Sequence, residues 1–128
     1  DFNKSEVELA IKMGTTAVMA AKKFMPKAKR RLFEDQAQAY QELRNGNVHA
    51  VVGSSPRPAF EAAKYSETLF MPMRDNFTKE PIAFALRKGD FDTMVFFNGW
   101  IQTKRDQGWL QDKHHYWFGT RNWAHLVE

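Results

Sequence analysis

The run Val7-Glu8-Leu9-Ala10-Ile11-Lys12-Met13-Gly14-Thr15-Thr16-Ala17-Val18 decides the fold. Val7, Leu9, Ile11 and Met13 alternate with Glu8, Ala10 and Lys12, and a period of two is that of a strand with one buried face. Ser5 and Glu8 have the spacing of a helix capping box, but the alternation that follows rejects a helix there. Gly14-Thr15-Thr16 then turns the chain. Either threonine is a fit N-cap for a helix from Ala17 to Met25, and Pro26 stops that helix because its ring cannot continue the turn.

The same alternation of element types continues outward. Ala28 to Phe33 reads as a second strand. Asp35 is a good N-cap for a helix from Gln36 to Arg44, with Ala37, Tyr40 and Leu43 on one face and Asn45-Gly46 closing it. Val48-His49-Ala50-Val51-Val52 is a short apolar run between turn signals, the pattern of a central strand buried on both faces. Gly53-Ser54-Ser55-Pro56 leads into a helix over Arg57 to Lys64. Thr68 to Met71 is a candidate short strand, and Pro81 to Leu86 reads as a further buried strand ended by Lys88-Gly89-Asp90. Asp90 caps a long helix from Phe91 to about Gln107, whose apolar residues cover so much of its circumference that it needs partners on several sides. Gly108 ends it. A second short helix holds Trp109, Leu110, Tyr116, Trp117 and Phe118, followed by Gly119 and a tail with Trp123 and Leu126.

Strand, helix, strand, helix, strand, helix, strand, then helices is an α/β order with a mostly parallel sheet and right-handed crossovers. The chain is long enough for one compact domain at 128 residues, and its 43% hydrophobic content supplies a core. No apolar run approaches the roughly 18 residues needed to span a bilayer. The opening Asp1-Phe2-Asn3-Lys4 has neither the basic nor the apolar region of a secretory signal. With no cysteine, disulfides and thiolate metal sites are excluded. The net charge is a mild +4. Lys22, Lys23, Lys27, Lys29, Arg30 and Arg31 form the one dense basic patch, and no base-stacking aromatics interleave with it, so it is read as a solvated surface rather than a nucleic-acid footprint.

In open α/β sheets ligands bind outside the carboxyl ends of the strands. Gly14-Thr15-Thr16 and Gly53-Ser54-Ser55 qualify. The first puts a flexible glycine and two hydroxyls at a helix N-terminus, where unpaired N–H groups and the helix dipole favour a carboxylate or phosphate. Lys12 adds a positive charge on the same rim. The second loop offers two hydroxyls at another helix start. Other candidates fall away. Ser54 and Ser55 have no His–Asp partners and no nucleophile-elbow pattern. His114 and His115 are adjacent and lack a ligand at i+4, His49 lies in a buried strand, and His125 is in the tail, so no metal site is expected. Asp90 and Asp92 are explained by capping.

Several stretches in order resemble the bacterial family 3 extracellular solute-binding proteins, the type II periplasmic amino-acid binders. Val7 to Thr16 resembles the family's strand into a Gly-Thr-Thr loop. Phe33-Glu34-Asp35-Gln36-Ala37, with Leu43 and Asn45-Gly46, resembles the next strand end and helix. Val48 to Pro56 resembles the family's V-D-A-V-V-x-D-x-P. Thr78 to Ala83 through Lys88-Gly89-Asp90 resembles its hinge strand, and Trp100-Ile101 with Gly108 and Trp117-Phe118-Gly119 its closing helices.

The resemblance implies a single binding-protein lobe, the second of two, over residues 1–89, and a helical segment over 90–128 that packs on the lobes. Complete members are nearly twice as long, so the expectation is half a two-lobed molecule, finished by the missing first lobe or by a swapped second copy. Thr15 and Thr16 match the loop that donates hydrogen bonds to the ligand carboxylate, with Gly14 as its turn. Lys12 matches a position that reaches the ligand side chain in some members. Ser54, beside Ser55, falls where amino-acid binders place the Asp that pairs with the α-ammonium, and a hydroxyl cannot supply that ion pair. His49 also stands where the family often has Asp.

The implied function is the extracytoplasmic, periplasmic solute-binding component of an ABC uptake system, holding a small polar or anionic, amino-acid-like solute and engaging a membrane permease. The alternative is a ligand-sensing domain of a membrane signalling receptor with the same fold. Neither cleft loop carries Asp or Glu, so enzymatic action is not expected, although a few relatives of this fold are dehydratases. No cofactor, metal or nucleic acid is implied.

Overall fold

In a computed structural model of the protein, residues 1–73 and 75–120 are described. Trp123, His125 and Leu126 lie outside the described residues. The chain divides into two compact units, Asp1–Lys79 and Glu80–Glu128.

The first unit is α/β. It contains β1 (Glu8–Lys12), α1 (Thr16–Phe24), β2 (Lys29–Phe33), α2 (Gln36–Arg44), β3 (Ala50–Val52) and α3 (Arg57–Lys64). The strands form one parallel sheet in the order β2-β1-β3. Lys12 pairs with Phe33, and Ile11 pairs with Val52. Leu9 and Ile11 face Ala21 of α1 across one side of β1. Ala10 faces Ala39 of α2 across the other. The crossovers therefore cover both faces, as a right-handed β1–α1–β2 unit followed by a return past β1 requires. Leu9 and Ile11 are fully buried, and each contributes about 2–3 kcal/mol of hydrophobic stabilisation.

Local chemistry sets the ends of the helices as expected. Thr15 is the N-cap of α1, and Met25, just before Pro26, is its C-cap. The Asp35 carboxylate accepts from the Ala37 N–H at 2.9 Å. The α2 helix closes through Asn45 into Gly46, which takes φ +75°, a conformation open to glycine at no steric cost.

The strands differ from the sequence expectation in two ways. β1, expected to have one buried face, is buried on both, because Ala10 is apolar and packs as firmly as its neighbours. The Val48–Val52 strand, expected at the centre, is shorter and lies at an edge of the sheet. Its burial comes from the helices rather than from a second flanking strand. His49 is correspondingly exposed and precedes β3 rather than lying within a buried strand.

Thr68–Met71 forms no strand. Nor does Pro81–Leu86 in the second unit, where Ile82 is 98% exposed. A strand needs a ladder partner for its N–H and C=O groups, and neither segment has one among the described residues.

In the second unit the described residues are helical over most of the stretch from Phe91 on. Asp90 Oδ1 accepts from the Thr93 N–H at 3.1 Å and starts α4 (Phe91–Asp106). Gly108, with φ +73°, separates it from α5 (Trp109–His114). The chain continues as a π-helical turn over His115–Thr120, so Gly119, expected to follow the helix, lies inside that turn. The wide apolar face of α4 is not offset by burial: none of its residues is buried, and Phe91, Val95 and Phe96 stand out from the surface. Phe84 and Phe97 meet at 5.0 Å, beside an apolar groove of about 590 Å³. No helix among the described residues is long and apolar enough to cross a membrane.

Candidate ligand-binding site

The strand order creates the site. β1 and β3 are neighbours, yet the connection from β1 goes through α1 to β2 while that from β3 departs on the other side of β1. Such a point of reversal, at the carboxyl ends of the two strands, is where open sheets of this kind take their ligands. The parallel register of Ile11 with Val52 brings both strand ends to the same level. Gly14-Thr15-Thr16 and Gly53-Ser54-Ser55 therefore leave the sheet side by side, and the tertiary fold gathers all six expected site residues at one edge.

Lys12 is the last residue of β1, and its side chain is exposed. Gly14 takes φ +71°, with open space where a Cβ would stand. Its glycine is required by the backbone rather than by crowding. The Thr15 hydroxyl donates to the Lys12 carbonyl at 2.8 Å and makes no side-chain cap bond to α1. It tightens the loop, while the Thr15 carbonyl accepts from the Val18 N–H at 3.1 Å at the start of the helix. Thr16 is exposed as the first residue of α1. In the second loop Ser54 and Ser55 are exposed, and the Ser54 carbonyl accepts from the Arg57 N–H at 3.3 Å. Pro56 follows a cis peptide bond and is the N-cap of α3.

Two features of this edge escape a reading of the sequence alone. The first is the end of β2. The Met13 N–H donates to the Phe33 carbonyl at 2.8 Å, so Glu34 and Asp35 emerge at the same edge as Lys12. Asp35 is engaged in capping α2, while Glu34 is an exposed carboxylate. A third loop thus brings acidic groups to a site whose other two loops have none. The strand order was the missing signal, and local pattern does not carry it.

The second is the support under Gly53. A Cβ on Gly53 would stand 2.9 Å from Gln36 Nε2 and 3.5 Å from the Tyr40 hydroxyl. The start of α2 is therefore packed directly against the β3–α3 loop. Tyr40 is only 2% exposed, and its hydroxyl is buried without a well-formed hydrogen bond. Burial, and next the Glu61 carboxylate, push its pKa up to about 12, with the Gln36 side chain and Arg57 pulling the other way. Glu61 is itself buried and forms ion pairs with Arg44 at 3.4 Å and with Arg57.

An apolar cavity of about 110 Å³ lies along β3, lined in part by Val52, Gly53, Ser55, Met71 and Phe77. It adjoins the second loop but offers few polar groups, so the candidate polar site is the strand-end crevice and not this cavity. Among the described residues no three His, Cys, Asp or Glu side chains are grouped for a metal. Helix N-termini, hydroxyls and a lysine can hold a polar or anionic group, and none of them is arranged as an activated nucleophile with a base.

No family model matches the chain. Its likeness is to solved binding proteins. An ancestral amino acid-binding protein, a precursor of cyclohexadienyl dehydratase, is 38% identical, with a TM-score of 0.72 over 91% of this chain and 48% of its own length. A protein from Wolinella succinogenes DSM 1740, assigned as the binding component of an ABC transporter and complexed with lysine, is 26% identical, with a TM-score of 0.87 over 96% of this chain and 53% of its own. An ancestral arginine-binding protein bound to glutamine shares the fold at 23% identity, with a TM-score of 0.75 over 93% of this chain and 55% of its own. The chain spans about half the length of these proteins. The resemblance to the amino-acid-binding solute-binding proteins stands, and the α/β unit has the architecture of one of their lobes.

Proposed function

We propose that this chain, built like one lobe of the amino-acid-binding proteins, holds a small polar or anionic, amino-acid-like solute at its strand-end crevice. The observation that carries this reading is the placement of Gly14-Thr15-Thr16 and Gly53-Ser54-Ser55 on adjacent parallel strands at the point where the connections diverge. Thr15, Thr16 and the first turn of α1 take a carboxylate, Lys12 reaches an outer acceptor of the solute, and Ser54 and Ser55 supply hydroxyls from the facing loop. The absence of a carboxylate at Ser54 favours a solute whose ammonium is missing or held elsewhere.

A second lobe completes the cleft, either from a longer form of the protein or from a swapped second copy. Residues 90–128 form the helical segment that packs on those lobes, and its exposed Phe91, Val95 and Phe96 support this role. The closed protein delivers its solute to an ABC permease outside the cytoplasm, without chemical change. Support for the transport role comes from the likeness to an ABC transporter binding component. A ligand-sensing domain of a membrane receptor uses the same lobe, and genetic linkage to a permease rather than to a kinase separates the two.

The test is titration of the isotope-labelled protein with lysine, glutamine and succinate, followed through backbone amide shifts. Joint movement of the Thr15, Thr16, Ser54 and Ser55 amides is expected, and an unmoved crevice with all three solutes rejects the site.

A further inference from the structure

The support beneath the second loop is built from side chains that a passive packing role does not require. Gln36 and Tyr40 lie one helical turn apart on α2, so both face the same way. Their polar ends converge on Gly53, at 2.9 Å and 3.5 Å from where its Cβ would be. Any side chain at Gly53 must move the Gln36 amide, so glycine lets the loop rest directly on α2. The Tyr40 hydroxyl is buried at this contact and holds no well-formed hydrogen bond. A buried polar group left in that state is costly, and a small shift of the adjoining loop backbone gives it a partner.

We propose that Gln36 and Tyr40 are positioning residues for the ligand site: together they seat Gly53 and so set where Ser54 and Ser55 stand, and the Tyr40 hydroxyl donates to the loop backbone when a solute occupies the crevice. This rests on the reading that Gly53-Ser54-Ser55 lines that crevice. The energetic logic is that of a supporting shell, in which a binding group is only as well placed as the residues behind it. The Gln36 side chain stabilises the hydroxyl oxygen, but its proton has no well-formed acceptor in the unliganded state and gains one in the liganded state, so it acts on the difference between the two states.

The experiment uses the full chain and has two arms. The first needs no ligand. Gly53→Ala shifts the Ser54 and Ser55 amide resonances in the wild-type background, and the shift is largely abolished in Gln36→Ala, because the atom that the new methyl displaces is gone. Equal shifts in both backgrounds overturn the seat.

The second arm titrates lysine and glutamine, read at the Ser54 and Ser55 amides. Tyr40→Phe keeps the melting temperature within about 2 °C of wild type yet weakens binding about fivefold. Gln36→Ala weakens it likewise, and Gln36→Glu, which keeps the length of the side chain, restores most of it. Unchanged affinity in Tyr40→Phe overturns the ligand-linked hydrogen bond, as does a loss of affinity matched by a loss of fold. Wild-type crevice amides that ignore both solutes count against the site reading instead, and the first arm still decides the seat.

Discussion

The ring Nδ1 of His49 accepts a hydrogen bond from the Glu8 backbone N–H at 3.1 Å, and the His49 N–H donates in turn to the Glu8 carbonyl at 2.9 Å. The side chain thus adds an acceptor at the point where β3 begins to run beside β1. A residue that resembled an unexplained departure in the sequence has a structural use, and any acceptor of similar reach would serve. His49→Ala should cost about 1 kcal/mol, the net worth of one such hydrogen bond. His49→Asp should keep most of it. Urea unfolding of the two variants checks the difference.

Gly14 at φ +71° leads into the first binding loop, with nothing within 4 Å of the place a side-chain methyl would take. Gly14→Ala should therefore cost about 1 kcal/mol through backbone strain alone. Gly14→Asn should cost less, because asparagine tolerates the left-handed region. Thermal melts give the ranking, and equal stability for all three residues would show that the turn relaxes.

Glu61 is 6% exposed and holds two guanidinium groups, from Arg44 and Arg57. The Arg44 guanidinium also lies 4.6 Å from the centre of the Tyr65 ring. Removing the carboxylate leaves the partly buried Arg44 without its counter-charge, while the exposed Arg57 stays solvated, so Glu61→Ala should destabilise by about 2 kcal/mol. Replacement of both arginines together with Glu61 by apolar residues should recover part of this. Denaturant midpoints of the single and triple variants test it.

Tyr40 carries the pH dependence. Its pKa rises from the ordinary 10.0 to about 12 in the folded chain, chiefly through burial. Between those values the unfolded chain has lost the proton and the folded chain has kept it. Stability is therefore intact below about pH 10 and falls as pH rises toward about 12. The measurement is the ultraviolet absorbance of tyrosinate, in which a late ionisation step should appear and should vanish in Tyr40→Phe.

Much of this was legible from residue order. Pro26 and Gly46 end their helices where the chain says they must, and Asp35 and Asp90 cap the next ones through their own carboxylates. These are local effects, set by φ preferences and by side chains that reach their own backbone. The Gly14 and Gly53 loops were legible for the same reason, as turn residues between a strand and a helix. Strand rank was not. Ala10 has too small a side chain to stand out in a hydropathy alternation, yet it makes β1 the strand buried on both faces. Val48 to Val52 looks more central and is an edge. Pro81 to Leu86 has a strand's composition and no ladder among the described residues.

What the sequence by itself determined was the alternation of strands and helices, the helix ends and the two polar loops, because each follows from interactions within a few residues. Only the tertiary structure decided that β1 lies between β2 and β3, that Lys12, Thr15 and Ser54 share one edge, and that Gln36 and Tyr40 lie against Gly53. Those outcomes depend on which surfaces exclude water together and which backbone groups find partners. Residues far apart in the chain settle both.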